Sequence, residues 1–436
     1  MNLYQNFSTI LDRHYVPGTR IILAFSGGVD SRVLLDLLAR YSEENPIECK
    51  AVYVHHGLSD NADTWQQQCQ AWALQAGIDF VAERVQVEAK GKSLEACARE
   101  ARYDALGCHL NSGDLLLTGQ HSDDQVETFL LALKRGSGPK GLSAMAEAMA
   151  FGSATIVRPL LMVSRSQIEA YALQQGLQWV EDESNQDVRF DRNFIRHQIS
   201  PLLNQRWPHF AQAVNRSAQL CAEQEMLIEE LLQEKLEKAL TLDGGLDIDV
   251  LSAVSELSRA RLIRMWLTQH NIRMPSRDHL SKIWAEVAQA KQDANPVLNL
   301  AGTQVRRFSN KLYAIAESED LSGWEKTLEV DESIELPDSL GCLTVQSSES
   351  GSLSLQALAE GELRVTFNPE GLSARPMDRG HSRKLKKLFQ EYGVPSWQRR
   401  RMPILMCGEK VVAIAGLFID HQFTGQDCEL IWDKPS

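Results

Sequence analysis

Between residues 20 and 185 the chain alternates short apolar runs with longer stretches in which apolar residues return every three to four positions. The runs are 21–26 (IILAFS), 51–56 (AVYVHH), 80–85 (FVAERV), 115–120 (LLLTGQ) and 155–161 (TIVRPLL). Continuous runs of Val, Ile and Leu suit strands covered on both faces, as in a parallel sheet. Between the first two runs Val33, Leu34, Leu37 and Leu38 share one helical face, and Val126, Phe129, Leu130 and Leu133 repeat that spacing later. Strand–helix units in series predict an α/β fold: a mostly parallel sheet with helices on both faces, right-handed crossovers, and ligand chemistry at the carboxyl ends of the strands.

Near residue 208 the pattern changes. Cys221, Ile228, Leu232, Leu236 and Leu240 lie on one stripe within 214–240, with Glu and Lys between them. This predicts one long amphipathic helix, stopped by Gly244 and Gly245. Helices are also expected over 254–269 and 276–290, the second capped by Ser276. Beyond 321 the runs shorten; 338–354 reads as loops and 411–419 as a buried strand, too short to cross a membrane. The expected organisation is a catalytic domain over 1–208, a helical domain over 209–320, and a linker with a small α+β C-terminal domain over 321–436, its compact part starting near Gly361.

Composition changes the picture in one respect. With 45 basic and 58 acidic residues the net charge is −13, which excludes a protein that simply coats nucleic acid but leaves room for an enzyme with a local basic surface. Residues 375–410 supply that surface. Arg375, Arg379, Arg383, Lys384, Lys386, Lys387, Arg399, Arg400, Arg401 and Lys410 face only Asp378, Glu391 and Glu409, a net of +7 with histidine neutral. Tyr392 and Trp397 are interleaved, and 383–395 reads as a short helix closed by Gly393 and Pro395. The eight cysteines contain no Cys-x-x-Cys pair, as expected of thiols in a reducing cytoplasm. Residues 1–15 lack the basic-then-apolar pattern of a secretory signal.

The strongest local signal is Ser26-Gly27-Gly28-Val29-Asp30-Ser31, which follows the first run and opens a helix. Two glycines permit a tight turn, and the free N–H groups of the turn and first helical turn form an anion site. Ser26 and Ser31 add hydroxyls. An acid at Asp30 beside an anion site requires a cation between them, and Mg2+ fits carboxylate and phosphate oxygens. The spacing is neither the Walker nor the dinucleotide pattern. After the fourth run, His121, Asp123, Asp124 and Glu127 gather at a strand-to-helix junction; either aspartate can join Asp30 on a metal if the two strand ends are neighbours. Lys134 and Arg135 end that helix, where cations suit its dipole. Residues 181–196 (EDESNQDVRFDRNFIR) are dense in both signs. There Asp182 and Asp187 suit amines, while Arg192 or Arg196 can fork a phosphate or carboxylate.

SGGVDS resembles the PP-loop of the N-type ATP pyrophosphatases. Further segments are 54–58 (VHHGL), 120–128 (QHSDDQVET), 134–138 (KRGSG), Gly141-Leu142, 158–160 (RPL), 182–185 (DESN) and 192–196 (RNFIR). Together they resemble the tRNA(Ile)-lysidine synthetase family, in its longer proteobacterial form, along the whole chain. The resemblance implies an ATP-dependent, AMP-forming ligase, using Mg2+, that joins L-lysine to the wobble cytidine of the CAU-anticodon isoleucine tRNA through an adenylated tRNA. It also implies a cytoplasmic enzyme with no membrane partner, and leaves a homodimer open. Carried over residue by residue, it implies a catalytic set of Asp30, His121, Asp124, Glu127 and Arg192, with metal at Asp30 and Asp124. ATP would lie on Ser26, Gly27, Gly28, Val29, Asp30, Ser31 and His55. Lysine and tRNA would be handled by Lys134, Arg135, Asp182, Asn185, Asp187, Asn193 and Arg196, and tRNA gripped by Arg375, Arg379, Arg383, Lys384, Lys386, Lys387, Arg399 and Arg400. A sulfur-inserting relative would need a cysteine pair, whereas Cys97 and Cys108, if helical, lie roughly 16 Å apart along the axis. The basic tail disfavours an amide-forming synthetase. A plain RNA-binding protein has no use for the phosphate loop.

Overall fold

The computed structural model describes residues 2–434 except 58, 60, 87–93, 271, 273, 274, 292, 293 and 301; Leu58 of the second motif therefore lies outside the described residues. Two compact units divide the chain, Met1–Glu230 and Leu231–Ser436.

The first unit is built on six strands: β1 (Ile21–Ala24), β2 (Cys49–His55), β3 (Asp79–Arg84), β4 (Leu115–Leu117), β5 (Ala148–Phe151) and β6 (Ala154–Val157). Their order is β3-β2-β1-β4-β6-β5, parallel throughout except for the β5–β6 hairpin. The helices of this unit are α1 (Leu3–His14), α2 (Val29–Glu44), α3 (Ala62–Gln75), α4 (Leu94–Gly107), α5 (Ser122–Lys134), α6 (Pro139–Leu142), α7 (Arg165–Gln174), α8 (Asp191–Phe194) and α9 (Ser200–Arg206). One face of the sheet buries Ile21, Leu23, Ala51, Leu115, Leu117 and Val157 against α1, α2, α3 and α7; Ile22, Val52, Leu116 and Ile156 pack with Leu106 of α4 on the other. That two-sided burial is why the runs of β1, β4 and β6 carry no polar alternation, whereas the edge strand β3 includes Glu83 and Arg84.

The strand order has a functional consequence. From β1 the chain builds outward through β2 and β3, then returns to place β4 on the other side of β1. The crevice between the carboxyl ends of β1 and β4 is thus the switch point at which such sheets bind ligands. The turn 25–28 and the turn 118–121 face each other there. A Cβ on Gly119 would stand 3.2 Å from the Cβ of Asp30 and 3.4 Å from the nitrogen of Ser31, so any larger residue here would press on the β1 turn.

After α8 the helix widens into a π-type turn over Ile195–Ile199 before α9. The long helix α10 (Phe210–Ala239) follows and carries the boundary between the two units. In the second unit, α11 (Ile248–Ser252), α12 (Glu256–Gln269), α13 (Arg277–Lys282) and a π-type turn Ile283–Ala288 share a core with a four-stranded antiparallel sheet. That sheet, β7 (Leu246–Asp247), β10 (Lys311–Ala316), β9 (Thr303–Phe308) and β8 (Val297–Leu300), was not expected from the hydrophobic pattern. The expected loop 338–354 likewise contains a strand, Cys342–Ser347. The expected strand 411–419 is two, Lys410–Ile414 and Phe418–Ile419, separated at Gly416 with φ +69°. They belong to a five-stranded antiparallel sheet against which the helix Leu385–Glu391 buries Leu385, Leu388 and Phe389. Among the described residues no helix is long and apolar enough to cross a membrane.

Candidate active site

The turn after β1 is shaped by its glycines. Gly27 sits at φ +82°, and a Cβ there would strike Cys69 Sγ at 2.7 Å and Val180 Cγ2 at 2.9 Å. Gly28 is the N-cap of α2 and has no side chain to satisfy the first helical N–H groups, which leaves them for an anion. The hydroxyls of Ser26 and Ser31 lie 3.2 Å apart, and Ser31 also donates to the Gly28 carbonyl at 3.0 Å.

Across the crevice α5 starts with a reciprocal cap. His121 Nδ1 accepts from the N–H of Asp123 at 3.3 Å, and the Asp124 carboxylate accepts from the N–H of His121 at 3.0 Å. The buried imidazole thereby presents Nε2 to two carboxylates, Asp30 Oδ1 at 3.7 Å and Asp124 Oδ2 at 3.4 Å. Burial opposes a charged His121, but Asp123, Asp124 and Asp30 outweigh it and raise its pKa above the ordinary histidine value. Burial pushes the Asp30 carboxyl above its usual range despite His121 and Arg165. Asp123 is different: burial is overcome by His121 and by the Arg165 N–H, which donates at 2.9 Å, and its carboxyl is held down to about 2. Asp123 is therefore occupied in anchoring the start of α7, while Asp30 and Asp124 flank the imidazole.

One turn further, Glu127 is 1% exposed. Arg196, in the widened turn, donates Nε to Glu127 Oε1 at 2.6 Å and Nη2 to Glu127 Oε2 at 3.0 Å and Asp124 Oδ1 at 3.1 Å. Arg192 lies 3.5 Å from Glu127 Oε2 and donates to Thr128 Oγ1 at 3.1 Å. Burial still leaves the Glu127 carboxyl above its ordinary value. The π-type turn thus carries the arginine that grips this acid through both oxygens, and such turns recur at functional sites.

Asp30 and Asp124 are the donors that would hold Mg2+ here; among the described residues no group of three or more His, Cys, Asp or Glu is gathered for a metal. Asp30 Oδ1 is buried without a hydrogen-bond partner, Asp124 offers a second carboxylate across His121, and the uncapped N–H groups of α2 lie alongside. A magnesium ion wants one or two carboxylates plus phosphate oxygens and water.

The other expected residues are dispersed. His55 ends β2, with Nε2 3.3 Å from Asp63 Oδ1 and Nδ1 accepting from the Gly57 N–H at 3.2 Å. Lys134 pairs with Asp191 at 2.7 Å, and Arg135 caps α5 in the open. Asp187 is bound through both oxygens by Arg189, at 2.6 Å for the shortest contact, and its carbonyl accepts from Asn193 at 3.0 Å. The Asn185 carbonyl meets His197 Nε2 at 2.8 Å. Asp182 is exposed, and its charge acts on His56 and Arg102 at the β2 end.

In the second unit several tail arginines are engaged internally. Arg383 and Arg379 both reach Glu391, Arg400 pairs with Glu370, Arg399 donates to the Val394 carbonyl at 2.9 Å, and Arg375 to that of Arg379 at 3.4 Å. Trp397 packs against Phe308 and Tyr313, with ring centroids 5.9 and 5.4 Å away, and is a packing residue. Lys384, Lys386 and Lys387 are exposed and, among the described residues, make no ion pair.

Sequence reasoning missed Gly119 and Arg165. The signal for Arg165 was its place as the first residue of a helix announced by the capping box Ser164–Gln167, just beyond the carboxyl end of a strand.

A PP-loop domain profile matches residues 2–203, a TilS substrate binding domain 246–313, and a TilS substrate C-terminal domain 363–433. The tRNA(Ile)-lysidine synthase of Vibrio parahaemolyticus is 60% identical over 100% of this chain and 99% of its own length. The chain belongs to the tRNA(Ile)-lysidine synthase family. The Vibrio campbellii tRNA(Ile)-lysidine synthase is 58% identical, covering 99% of each chain, and that of Photobacterium profundum 47%, again covering 99% of each. Among solved structures, a U34-tRNA thiolase from Methanococcus maripaludis aligns with a TM-score of 0.42 and 14% identity, over 50% of this chain and 78% of that one. As a tRNA(Ile)-lysidine synthase family member the chain is an enzyme of the PP-loop type, a ligase of tRNA processing.

Proposed function

We propose that the chain joins free L-lysine, through its side-chain amine, to C2 of the wobble cytidine in the CAU-anticodon isoleucine tRNA, with consumption of ATP. In the first step O2 of the cytidine attacks the α-phosphate of ATP and pyrophosphate leaves. In the second the amine attacks C2, and AMP departs carrying O2, leaving lysidine. The observation that carries the reading is the uncapped N–H cradle of 27–31 set against Asp30, His121 and Asp124.

That cradle, with the hydroxyls of Ser26 and Ser31, suits the departing pyrophosphate. Mg2+ held by Asp30 and Asp124 would neutralise charge that develops on the phosphates. His121, whose Nδ1 accepts from the Asp123 N–H, can turn an Nε2–H toward Asp30 and Asp124 at the same place. Arg192 and Arg196 suit a phosphate or carboxylate, and Asp182 gives the ammonium of lysine an anionic approach, whereas Asp187 is already paired with Arg189. Glu127, gripped through both oxygens by Arg196, holds that arginine in place, and the proton that the attacking amine gives up passes to water. The exposed lysines of 384–387 suit tRNA phosphates.

The test is incubation with ATP, Mg2+ and unfractionated tRNA and each labelled amino acid in turn. Label from lysine alone should enter a nucleoside. Label from another amino acid, or from none, overturns the reading.

A further inference from the structure

Arg165 has no part in the scheme above, yet it ties the crevice together. Its guanidinium Nη1 donates to Asp30 Oδ2 at 2.8 Å, and its Nε donates to Glu169 Oε1, one turn on, at 2.7 Å. Its backbone N–H donates to Asp123 Oδ2 at 2.9 Å. It is the first residue of α7, whose start is fixed by the Ser164–Gln167 capping box. One residue therefore joins the junctions after β1, β4 and β6.

The tie makes the two oxygens of Asp30 unequal. Oδ2 is taken by Arg165, while Oδ1 is buried, faces His121 Nε2 at 3.7 Å and has no hydrogen bond. A carboxylate turns about its last bond with little resistance, so a free Asp30 would spread over many orientations. Partners behind a ligating group commonly set its direction and the affinity of the metal. We propose that Arg165 is a positioning residue: by holding Oδ2, and being held in turn by Glu169, it keeps Oδ1 turned toward the site of Mg2+. This rests on the metal role given to Asp30 above.

The experiment measures binding of Mn2+ to the full chain with the non-cleavable analogue α,β-methylene-ATP, from the paramagnetic resonance signal of free Mn2+. The variants are Arg165→Gln, Arg165→Lys, Glu169→Gln and Asp30→Asn, with thermal unfolding alongside. Arg165→Gln should weaken Mn2+ binding about tenfold, Arg165→Lys should recover part of the loss, and Glu169→Gln should shift binding less in the same direction. Pyrophosphate release should then need more Mg2+ and regain most of its rate when Mg2+ is raised. If Asp30→Asn weakens Mn2+ binding and Arg165→Gln does not, the positioning role is wrong and the metal reading stands. If Asp30→Asn leaves Mn2+ binding intact, the metal reading fails and takes this role with it. A rate lost at every Mg2+ concentration with an unmoved Mn2+ affinity also overturns the role. Should Arg165→Gln not fold, unchanged binding in Glu169→Gln overturns it.

Discussion

His56 stands at the end of β2 with Arg102 donating Nε to its Nε2 at 3.2 Å. Burial first, then Arg102 and His55, push its pKa down to about 4 from 6.5. Between those values the unfolded chain binds a proton that the folded one refuses, so stability falls as pH drops from 6.5 toward 4. The slope should be a fraction of the roughly 1.4 kcal/mol per pH unit of a full one-proton difference, since His56 is only partly buried. Denaturant unfolding of the parent and His56→Gln from pH 4 to 7 should show the variant with the shallower slope; parallel curves would refute the assignment. Asp182 and Asp187 separate at the same scale. Asp182→Asn should raise the lysine KM more than the ATP KM, and a larger effect on ATP would reassign this acid to the nucleotide. The acids of the crevice were legible because Asp30, His121, Asp124 and Glu127 belong to local motifs. Arg165 was not, because it lies 135 residues from its partner Asp30. Nor was the neutralisation of Asp187, although its partner Arg189 is only two residues away: a run of mixed charge does not say which acid is already taken.

Among the elements, the short helix expected within 383–395 is Leu385–Glu391, with Gly393 at φ +67° after its end. Its apolar face is in the core, so Lys386 and Lys387 are turned outward, with Lys384 before them. Replacing Lys384, Lys386 and Lys387 together by Ala should weaken tRNA binding while leaving ATP binding unchanged. The salt slope of tRNA binding should fall by roughly one unit for each phosphate no longer neutralised. Filter binding at several salt concentrations reads this, and an unaltered slope would remove the helix from the RNA surface. On the sheet of the first unit, Gly119→Ala should press on Asp30 and Ser31 and weaken ATP binding, measured by calorimetry, with little loss of stability. An unchanged affinity would show that the turn yields. Four of the five runs of the first unit lie inside the sheet, where a parallel strand demands apolarity; β3 lies at its edge and carries Glu83 and Arg84. β5 was not legible: its middle residues, Met149 and Ala150, are exposed. The strands β7 to β10 were equally hidden, since antiparallel strands with one wet face carry a weaker signal than the helices beside them.

For the whole molecule, each unit has its own buried core. Scanning calorimetry should therefore resolve two transitions, and Mg2+ with the ATP analogue should raise only the one belonging to Met1–Glu230. At a hundredfold excess over Kd the stabilisation would be about 2.7 kcal/mol. A single transition shifted as a whole would show that the units unfold together. The charge of the chain is divided as well: −13 in total, with +7 within 375–410, so RNA is expected to be met by one patch on an otherwise repelling surface. The division between the units does not fall in a loop. It falls between Glu230 and Leu231, inside the unbroken helix Phe210–Ala239. Proteases cut extended, exposed backbone, which a helix denies them, so brief digestion should spare this junction and nick loops first. Anyone splitting the chain into halves for separate expression should place the break outside 210–239; a cut between Glu230 and Leu231 would leave a frayed helix end on each half.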